Sequence, residues 1–286
     1  MNHIKNSFFL LVFVLVSSCL FAQICKSPLE GKKLVTIGNS ITAACGYQPY
    51  LVEWLGVNWS QVETQKGVDG HAPMAKGGTI VRPTSVKSIS YRSYDAKFYN
   101  PDIILVYGCQ NDNEKSKWGT INDKPYLLHQ LSDSVTLASA YMGMIVNLKL
   151  DNPKAQIYLI NLMRVKAVVG MHPQNSYVKR YKSPRFSTTQ EVLDWELDMR
   201  YPKVQLVRQI GKKYNLPVID LYDSSGVTNA NAELYYGQAA DDCTQVHPNK
   251  EGYRRMAECI VKVILPEFNL PVNKQTTLSY IVKPFL

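Results

Sequence analysis

Beyond its first 23 residues, the sequence lacks any apolar run approaching the roughly 20 residues that a membrane-spanning helix needs. It also lacks internal repeats, low-complexity blocks and any segment with the composition of a linker between domains. These absences argue against a polytopic membrane protein, a repeat protein and a multidomain chain. We therefore expect residues 23–286 to form one globular domain, which is long enough to bury a substantial core.

The sequence also lacks a basic stripe with interleaved aromatic residues, so a nucleic-acid partner is not expected. Its 32 lysines and arginines exceed its 23 acidic residues, giving a formal net charge of +9, but they are scattered along the chain. Such an excess is typical of a solvated cationic surface. Attraction to acidic polysaccharide or to an anionic membrane surface stays open as an alternative.

The cysteines do not have the spacing of a zinc site, so no metal is expected from them. An exported protein can form disulfides, but an odd number of cysteines follows residue 22, so at least one of them is unpaired. The spacing leaves the pairing open among Cys25, Cys45, Cys109, Cys243 and Cys259.

Residues 1–22 have the pattern of a secretory signal peptide, with an apolar run over residues 8–16 and small residues before a cleavage point after Ala22. We therefore expect export to the periplasm or the extracellular space. The alternative is a bacterial lipoprotein signal that would anchor the protein to a membrane through a lipid on Cys19. The two apolar residues after Cys19 argue against this alternative.

Strand and helix patterns alternate through the rest of the chain, which indicates an α/β fold with a parallel sheet. Residues 164–202 interrupt the alternation and predict an insertion, which is either a lid or ordinary surface structure. The predicted strands are 34–37, 102–107, 155–163 and 216–221, and the predicted helices are 50–56, 132–150, 188–197, 204–214 and 252–265. Ser132 or Asp133 is the expected cap of the second helix. The run 278–282 is expected to pair with the sheet or to pack beneath it.

The junction after the first strand is the strongest functional signal. Gly38-Asn39-Ser40 places a serine at a tight turn between a buried strand and a helix, where an α/β enzyme exposes a nucleophile. The N-terminus of the following helix supplies backbone N–H groups for a developing oxyanion. The alternative is a serine that merely caps the helix.

Three further stretches are predicted to lie at the same edge of the sheet, because the carboxyl ends of parallel strands meet there. The glycines of residues 75–79 allow a backbone N–H to approach a ligand closely. Asn111 follows the second strand and has an amide that donates hydrogen bonds, and His247 precedes the last helix, where it is placed to act as a base toward Ser40. His71, His129 and His172 have no comparable motif around them.

In this order and context, the four stretches resemble the SGNH (GDSL-type) hydrolase superfamily over about residues 34–265. The resemblance implies a flavodoxin-like three-layer α/β/α sandwich with a central parallel sheet. It also implies that Ser40 is the nucleophile, that His247 is the base, and that the oxyanion is held by Ser40, Gly78 and Asn111, with Gly77 as the alternative to Gly78. The matching motifs are Gly38-Asn39-Ser40, Gly78, residues 108–112, His247-Pro248-Asn249 and Gly252-Tyr253.

The sequence departs from the family pattern at two positions. Asn39 stands where the family has Asp, and we expect it to brace the turn. Thr244 stands three residues before His247, where the family has the Asp that orients the histidine. Asp242 is our choice for the third catalytic residue, with Asp241, or a backbone carbonyl that leaves a Ser–His dyad, as the alternatives.

The resemblance implies ester hydrolysis through an acyl-enzyme, with no metal or organic cofactor. Within that chemistry, we expect a deacylase that removes acetyl or other short acyl groups from carbohydrate. The same catalytic groups also serve a lipase or lysophospholipase, or an enzyme that transfers the acyl group to a glycan. Because Thr244 replaces the expected Asp, a catalytically impaired glycan-binding or envelope protein on the same fold is a further alternative.

Overall fold

The structure is a computed structural model that describes residues 27–165, 188–228, 230–236 and 247–267. Several predictions fall outside these residues and stay predictions. They concern the signal peptide over residues 1–22, lipidation of Cys19, the run 278–282, and the residues His172, Asp241, Asp242 and Thr244.

A four-stranded parallel sheet lies at the centre of the described chain, in the order β1-β2-β3-β4. Nearly every strand residue is buried, because helices cover both faces of such a sheet, and this explains why the strands read as continuous apolar runs. The predicted α/β fold is confirmed. The strands are β1 (Leu34–Gly38), β2 (Ile103–Tyr107), β3 (Gln156–Ile160) and β4 (Val218–Ile219).

Besides an isolated parallel bridge between Lys33 and Asn58, the outer edge of β1 has a further parallel neighbour, which is a bridge between Gly38 and Ala75. Its hydrogen bonds run from Gly38 N to Met74 O (3.0 Å) and from Lys76 N to Gly38 O (3.2 Å). β1 remains an edge strand of the four-stranded order, and this bridge covers its carboxyl end. This bridge brings residues 74–76 to the carboxyl end of β1, where the chain leaves the sheet toward Ser40.

The helices pack in two groups. In one group α2 contacts α9, and in the other α4 and the following 3-10 helix contact α5, which also contacts α7. None of the described helices has the length and apolar composition to cross a membrane. The helices are α1 (Ser40–Ala43), α2 (Gln48–Leu55), α3 (Gln61–Gln65), α4 (Ile89–Arg92), α5 (Leu137–Asp151), α6 (Thr189–Trp195), α7 (Tyr201–Tyr214), α8 (Leu221–Ser224) and α9 (Lys250–Ile264). Shorter 3-10 helices span Ser93–Tyr99, Lys115–Lys117 and Ala232–Leu234.

Several predicted boundaries were wrong, among them the end of the strand 155–163, since β3 ends at Ile160. Helix α5 is capped by Thr136 rather than by Ser132 or Asp133, because the Thr136 hydroxyl accepts a hydrogen bond from Ser139 N at 3.1 Å. The predicted strand 216–221 is reduced to Val218–Ile219, since the chain turns into α8 at Leu221.

The predicted helix 188–197 continues further than expected. A π-helix over Glu196–Arg200 joins α6 to α7, so the chain is helical from Thr189 to Tyr214. Pro202 has no N–H to donate, and the wide turn before it accommodates the missing helical bond. Residues 189–202 of the predicted insertion are therefore part of this long helix.

We expect Gly143→Ala to destabilise the fold, although alanine usually favours a helix by about 1 kcal/mol over glycine. Gly143 lies in α5, and a Cβ at this position would overlap the carbonyl oxygen of Tyr126. The helix must then shift from its neighbour, at an expected cost of about 1–3 kcal/mol in the free energy of unfolding. Urea denaturation measures this, with Leu150→Ala as control because Leu150 in the same helix is 71% exposed. A stabilised Gly143→Ala variant would contradict the packing.

Candidate active site

Ser40 is the first residue of α1, at the carboxyl end of β1. Asn39 is fully buried and caps α1, because its Oδ1 accepts a hydrogen bond from Ile41 N at 3.0 Å. The expectation that Asn39 braces the turn is thus confirmed. Gly38 is required here because a Cβ would overlap the Thr42 hydroxyl and lie 2.8 Å from the carbonyl oxygen of Tyr107. The serine therefore leaves the sheet on a turn with no room for a side chain behind it.

His247 is held just before α9 by contacts of the two residues that follow it. Pro248 forms an antiparallel bridge with Tyr236, and Asn249 N donates to the carbonyl oxygen of Tyr235 at 2.9 Å. The side chain of Asn249 also caps α9 by accepting from Gly252 N at 3.0 Å. Pro248 and Asn249 thus fix the chain at the N-terminus of α9, and this fixes the position of the His247 backbone.

The structure brings the two ends of the predicted site together, although 207 positions separate them in the sequence. The Nε2 atom of His247 lies 2.9 Å from the Oγ atom of Ser40, which is hydrogen-bond distance. A hydroxyl bonded to an imidazole in this way has a base within reach of its proton. His71 and His129, by contrast, stack on aromatic rings, His71 on Phe98 and His129 on Tyr94.

The glycines after Ala75 border Ser40. A Cβ built on Gly77 would lie 3.8 Å from the Cβ of Ser40, whereas one on Gly78 would meet nothing within 4 Å. Gly78 has a φ of +70°, a conformation that disfavours other residues, so it is needed for the path of the loop. Both glycines are exposed, and the approach to Ser40 is made by Gly77, the alternative to Gly78 in the predicted oxyanion hole.

Asn111 and Asp112 join the loop after β2 to the segment that follows these glycines. The Nδ2 atom of Asn111 donates to the carbonyl oxygen of Thr79 at 3.0 Å, and Val81 N donates to the Asp112 carboxylate at 3.0 Å. Burial raises the pKa of Asp112, and the bond from Val81 opposes that effect. The predicted amide donor is thereby fixed relative to the glycine loop.

Sequence reasoning missed Arg92, a residue that is only 2% exposed. It donates to the carbonyl oxygens of Gly38 (3.0 Å) and Pro73 (2.6 Å), and to the Thr79 hydroxyl (3.3 Å). Arg92 therefore ties the carboxyl end of β1 to both ends of the glycine loop. A signal was present, since Arg92 stands three residues after Ile89 and four before Ala96, which are both fully buried.

Lys203 is a second buried cation that sequence reasoning missed, at 1% exposure. Its ammonium donates to the carbonyl oxygen of Gln110 at 3.3 Å and to the Asn113 side chain at 3.1 Å, on either side of Asn111. Burial lowers the pKa of Lys203 to about 8. The sequence could have predicted this burial, because the fully buried Val207 and Ile210 lie on the same face of α7 as Lys203.

Arg200 reinforces the same loop from one turn earlier in the helix. Its guanidinium donates to the Gln110 side chain at 3.3 Å and to the carbonyl oxygen of Met163 at 2.7 Å. Cys109 of this loop has a φ of 60° and is 1% exposed, and burial raises the pKa of its thiol. Within the described chain the cysteines are free thiols, and no cluster of histidine, cysteine or acidic residues has the makings of a metal site.

With this geometry in view, the sequence matches the model of the GDSL-like lipase/acylhydrolase family over residues 36–255. The chain belongs to this family. The relationship predicted from the four motifs is thus confirmed, and family membership implies an acylhydrolase at that level of description. A search among curated proteins found no match.

Solved structures share the fold at low sequence identity. A protein from Lactobacillus plantarum is 20% identical with a TM-score of 0.54, and the match covers 84% of this chain and 99% of that one. A lipase/acylhydrolase from Enterococcus faecalis is 14% identical (TM-score 0.47), with 84% and 98% covered. An acetyl xylan esterase, AlAXEase, is 18% identical (TM-score 0.42), with 82% and 100% covered. The first likeness supports the fold, and none of the three assigns a substrate.

We expect a fluorophosphonate to label wild-type protein at Ser40, because the adjacent imidazole accepts the hydroxyl proton as the oxygen–phosphorus bond forms and fluoride leaves. Ser40→Ala abolishes labelling, and His247→Ala slows it by about 100-fold or more. Intact mass and peptide mapping measure rate and position. His71→Ala serves as the histidine control. Labelling of another serine, or an equal rate in His247→Ala, would show that the pair is not activated.

We expect Lys203 to make stability depend on pH. Its pKa is about 8 in the folded chain against 10.5 for an ordinary lysine, so the unfolded chain binds more protons between these values. The free energy of unfolding of wild type relative to Lys203→Met should therefore rise between pH 8 and 10.5, by up to about 1.4 kcal/mol per pH unit. Lys212→Met, an exposed position on the same helix, is the control. A flat difference would mean that Lys203 keeps an ordinary lysine pKa in the folded chain, as a hydrated ammonium does.

Proposed function

We propose that this protein is a serine ester hydrolase that removes acetyl or other short acyl groups from carbohydrate. The observation that carries the proposal is the 2.9 Å contact between Ser40 Oγ and His247 Nε2, the two residues that the motif resemblance implies as nucleophile and base.

In the first half of the reaction, Ser40 Oγ attacks the ester carbonyl carbon while its proton passes to His247 Nε2. The tetrahedral intermediate then collapses, and the alcohol leaves with that proton, so that the acyl group remains on Ser40. In the second half, His247 takes a proton from water, which attacks the acyl carbon. The acid is released and the proton returns to Ser40.

The oxyanion in this proposal is held by the backbone N–H groups of Ser40 and Gly78 and by the side-chain amide of Asn111. One amide hydrogen of Asn111 is used by Thr79, which leaves the second hydrogen for the oxyanion. Each such donor is worth roughly 3–4 kcal/mol in related acyl transfer. Asp242 is the proposed residue that orients His247.

Carbohydrate is the proposed substrate class for two reasons. Gly77, Gly78 and His247 are exposed among the described residues, which suits a site that meets a polymer at the surface. Tyr91 is only partly buried and shares a cavity with Lys76 of the glycine loop, so its ring is available for contact with a sugar. Residues 1–22, read as an export signal, would bring the enzyme to such a substrate.

The decisive experiment measures hydrolysis of p-nitrophenyl acetate, butyrate and octanoate, and of acetylated oligosaccharides. Wild type should prefer the acetyl esters, and Ser40→Ala and His247→Ala should lose at least about 1,000-fold in kcat. Asn111→Ala should lose about 100-fold in kcat with little change in KM, since the oxyanion forms only during the reaction. His71→Ala, whose ring stacks on Phe98, should match wild type.

Other outcomes point to specific alternatives. A preference for octanoate over acetate would identify a lipase-type acylhydrolase and overturn the carbohydrate assignment. Turnover that persists in Ser40→Ala would overturn the proposed nucleophile. If wild type cleaves neither the aryl esters nor the acetylated oligosaccharides, the substitution of Thr244 for the expected Asp indicates a binding protein on this fold.

A further inference from the structure

A cavity of about 310 Å³ lies beside the glycine loop, on residues that the proposed reaction does not use. This volume is at the lower end of the range for small-molecule sites and is enough for about one sugar unit. We call it the basic cavity because Lys76, Lys87 and Arg92 line it with Asp95 as the single carboxylate, next to the rings of Tyr91 and His129.

The charges of the basic cavity are unbalanced. Lys76 and Lys87 are both exposed, and within the described residues neither ammonium forms an ion pair. Arg92 adds a third positive charge in the wall. The one carboxylate, Asp95, is already bonded, because its Oδ2 accepts from Ala72 N at 2.7 Å. The two free ammonium groups are thus placed to bind an anion.

Lys76 and Arg92 connect the basic cavity to the segments around the nucleophile. Lys76 directly precedes Gly77, whose Cβ position is 3.8 Å from the Cβ of Ser40, and consecutive Cα atoms lie about 3.8 Å apart. Arg92 in the cavity wall donates to the carbonyl oxygen of Gly38, two residues before the serine. A group bound in the cavity therefore lies within the span of a short oligosaccharide from Ser40.

We propose that the basic cavity binds the carboxylate of an acidic sugar, so that the ester substrate is a uronate-containing glycan. This inference rests on the proposed function for the ester itself, but the cavity and its charges are independent of Ser40. The acyl group sits at Ser40 while the carboxylate of the same or a neighbouring sugar lies between Lys76 and Lys87.

Two features favour a carboxylate over a more highly charged group. The lysines supply two separate ammonium groups, which match the two oxygens of one carboxylate, and Asp95 opposes a dianion more strongly than a monoanion. The formal net charge of +9 also attracts an acidic polymer at long range, an effect that salt weakens.

The first test compares methyl O-acetyl-glucuronoside with methyl O-acetyl-glucoside as substrates, and an acetylated disaccharide whose neighbouring sugar is glucuronate with one whose neighbouring sugar is glucose. We expect wild type to favour the acidic ester in kcat/KM by about tenfold, as for one charge-assisted contact pair. The double variant Lys76→Met/Lys87→Met should reduce that ratio to near one. Lys154→Met, an exposed lysine away from the cavity, is the matched control and should keep the wild-type ratio. An equal ratio in wild type and the double variant overturns the inference.

The second test separates this inference from the proposed function. Binding of unesterified methyl glucuronoside and methyl glucoside to Ser40→Ala is measured by calorimetry at low and high salt, with and without the double variant. Binding of the glucuronoside alone, weakened by salt and lost in the double variant, supports the cavity even if no ester is hydrolysed. Hydrolysis of neutral esters without such binding overturns the cavity and leaves the proposed function standing. Tighter binding of glucose 6-phosphate than of the glucuronoside would overturn the assignment to a carboxylate.

Discussion

The buried guanidinium of Arg92 is the contact on which the arrangement of the site most depends. Its donors reach Gly38, Pro73 and Thr79, so that one side chain joins the end of β1 to both ends of the glycine loop. Burial lowers its pKa to about 10, which shows how much hydration this position removes. The Gly38 carbonyl oxygen also accepts from Lys76 N, so without the arginine it would keep one of its two donors, whereas the Pro73 carbonyl oxygen would lose the donor that Arg92 supplies.

Buried cations recur beneath the loops that carry the proposed site. Arg92 lies under Gly38, while Lys203 and Arg200 lie under Gln110, next to Asn111. Hydrogen bonds to charged donors hold a loop more firmly than bonds between neutral groups, and these donors are shielded from water. A reaction that gathers negative charge at this edge of the sheet would take place above a fixed positive potential.

The sequence predicted the features that depend on periodicity and on strand ends. Buried strands show as continuous apolar runs, and the polar groups that follow them meet at one edge, which predicted the positions of Ser40 and Asn111. His247 follows no predicted strand and was identified by its motif before the last helix. Arg92 and Lys203 were missed because a charged residue interrupts the apolar periodicity that predicts a buried helix face. Their burial is indicated only by the apolar residues three or four positions away on the same face. The cap at Thr136 was missed because Ser132 and Asp133 offer equally good caps, and only the packing of the preceding loop chooses between them.

The π-helix at Glu196–Arg200 sets how two helical segments face the core. Val192, Glu196 and Arg200 are all buried, so the inward face recurs every four residues through this wide turn. Each residue of an α-helix turns the chain by about 100°. Shortening the turn by one residue would therefore rotate α6 by about that angle against α7 and carry Val192 toward solvent. The length of this segment therefore determines which face of α6 is buried. A chain with one residue more or fewer here would have to repack the whole of α6.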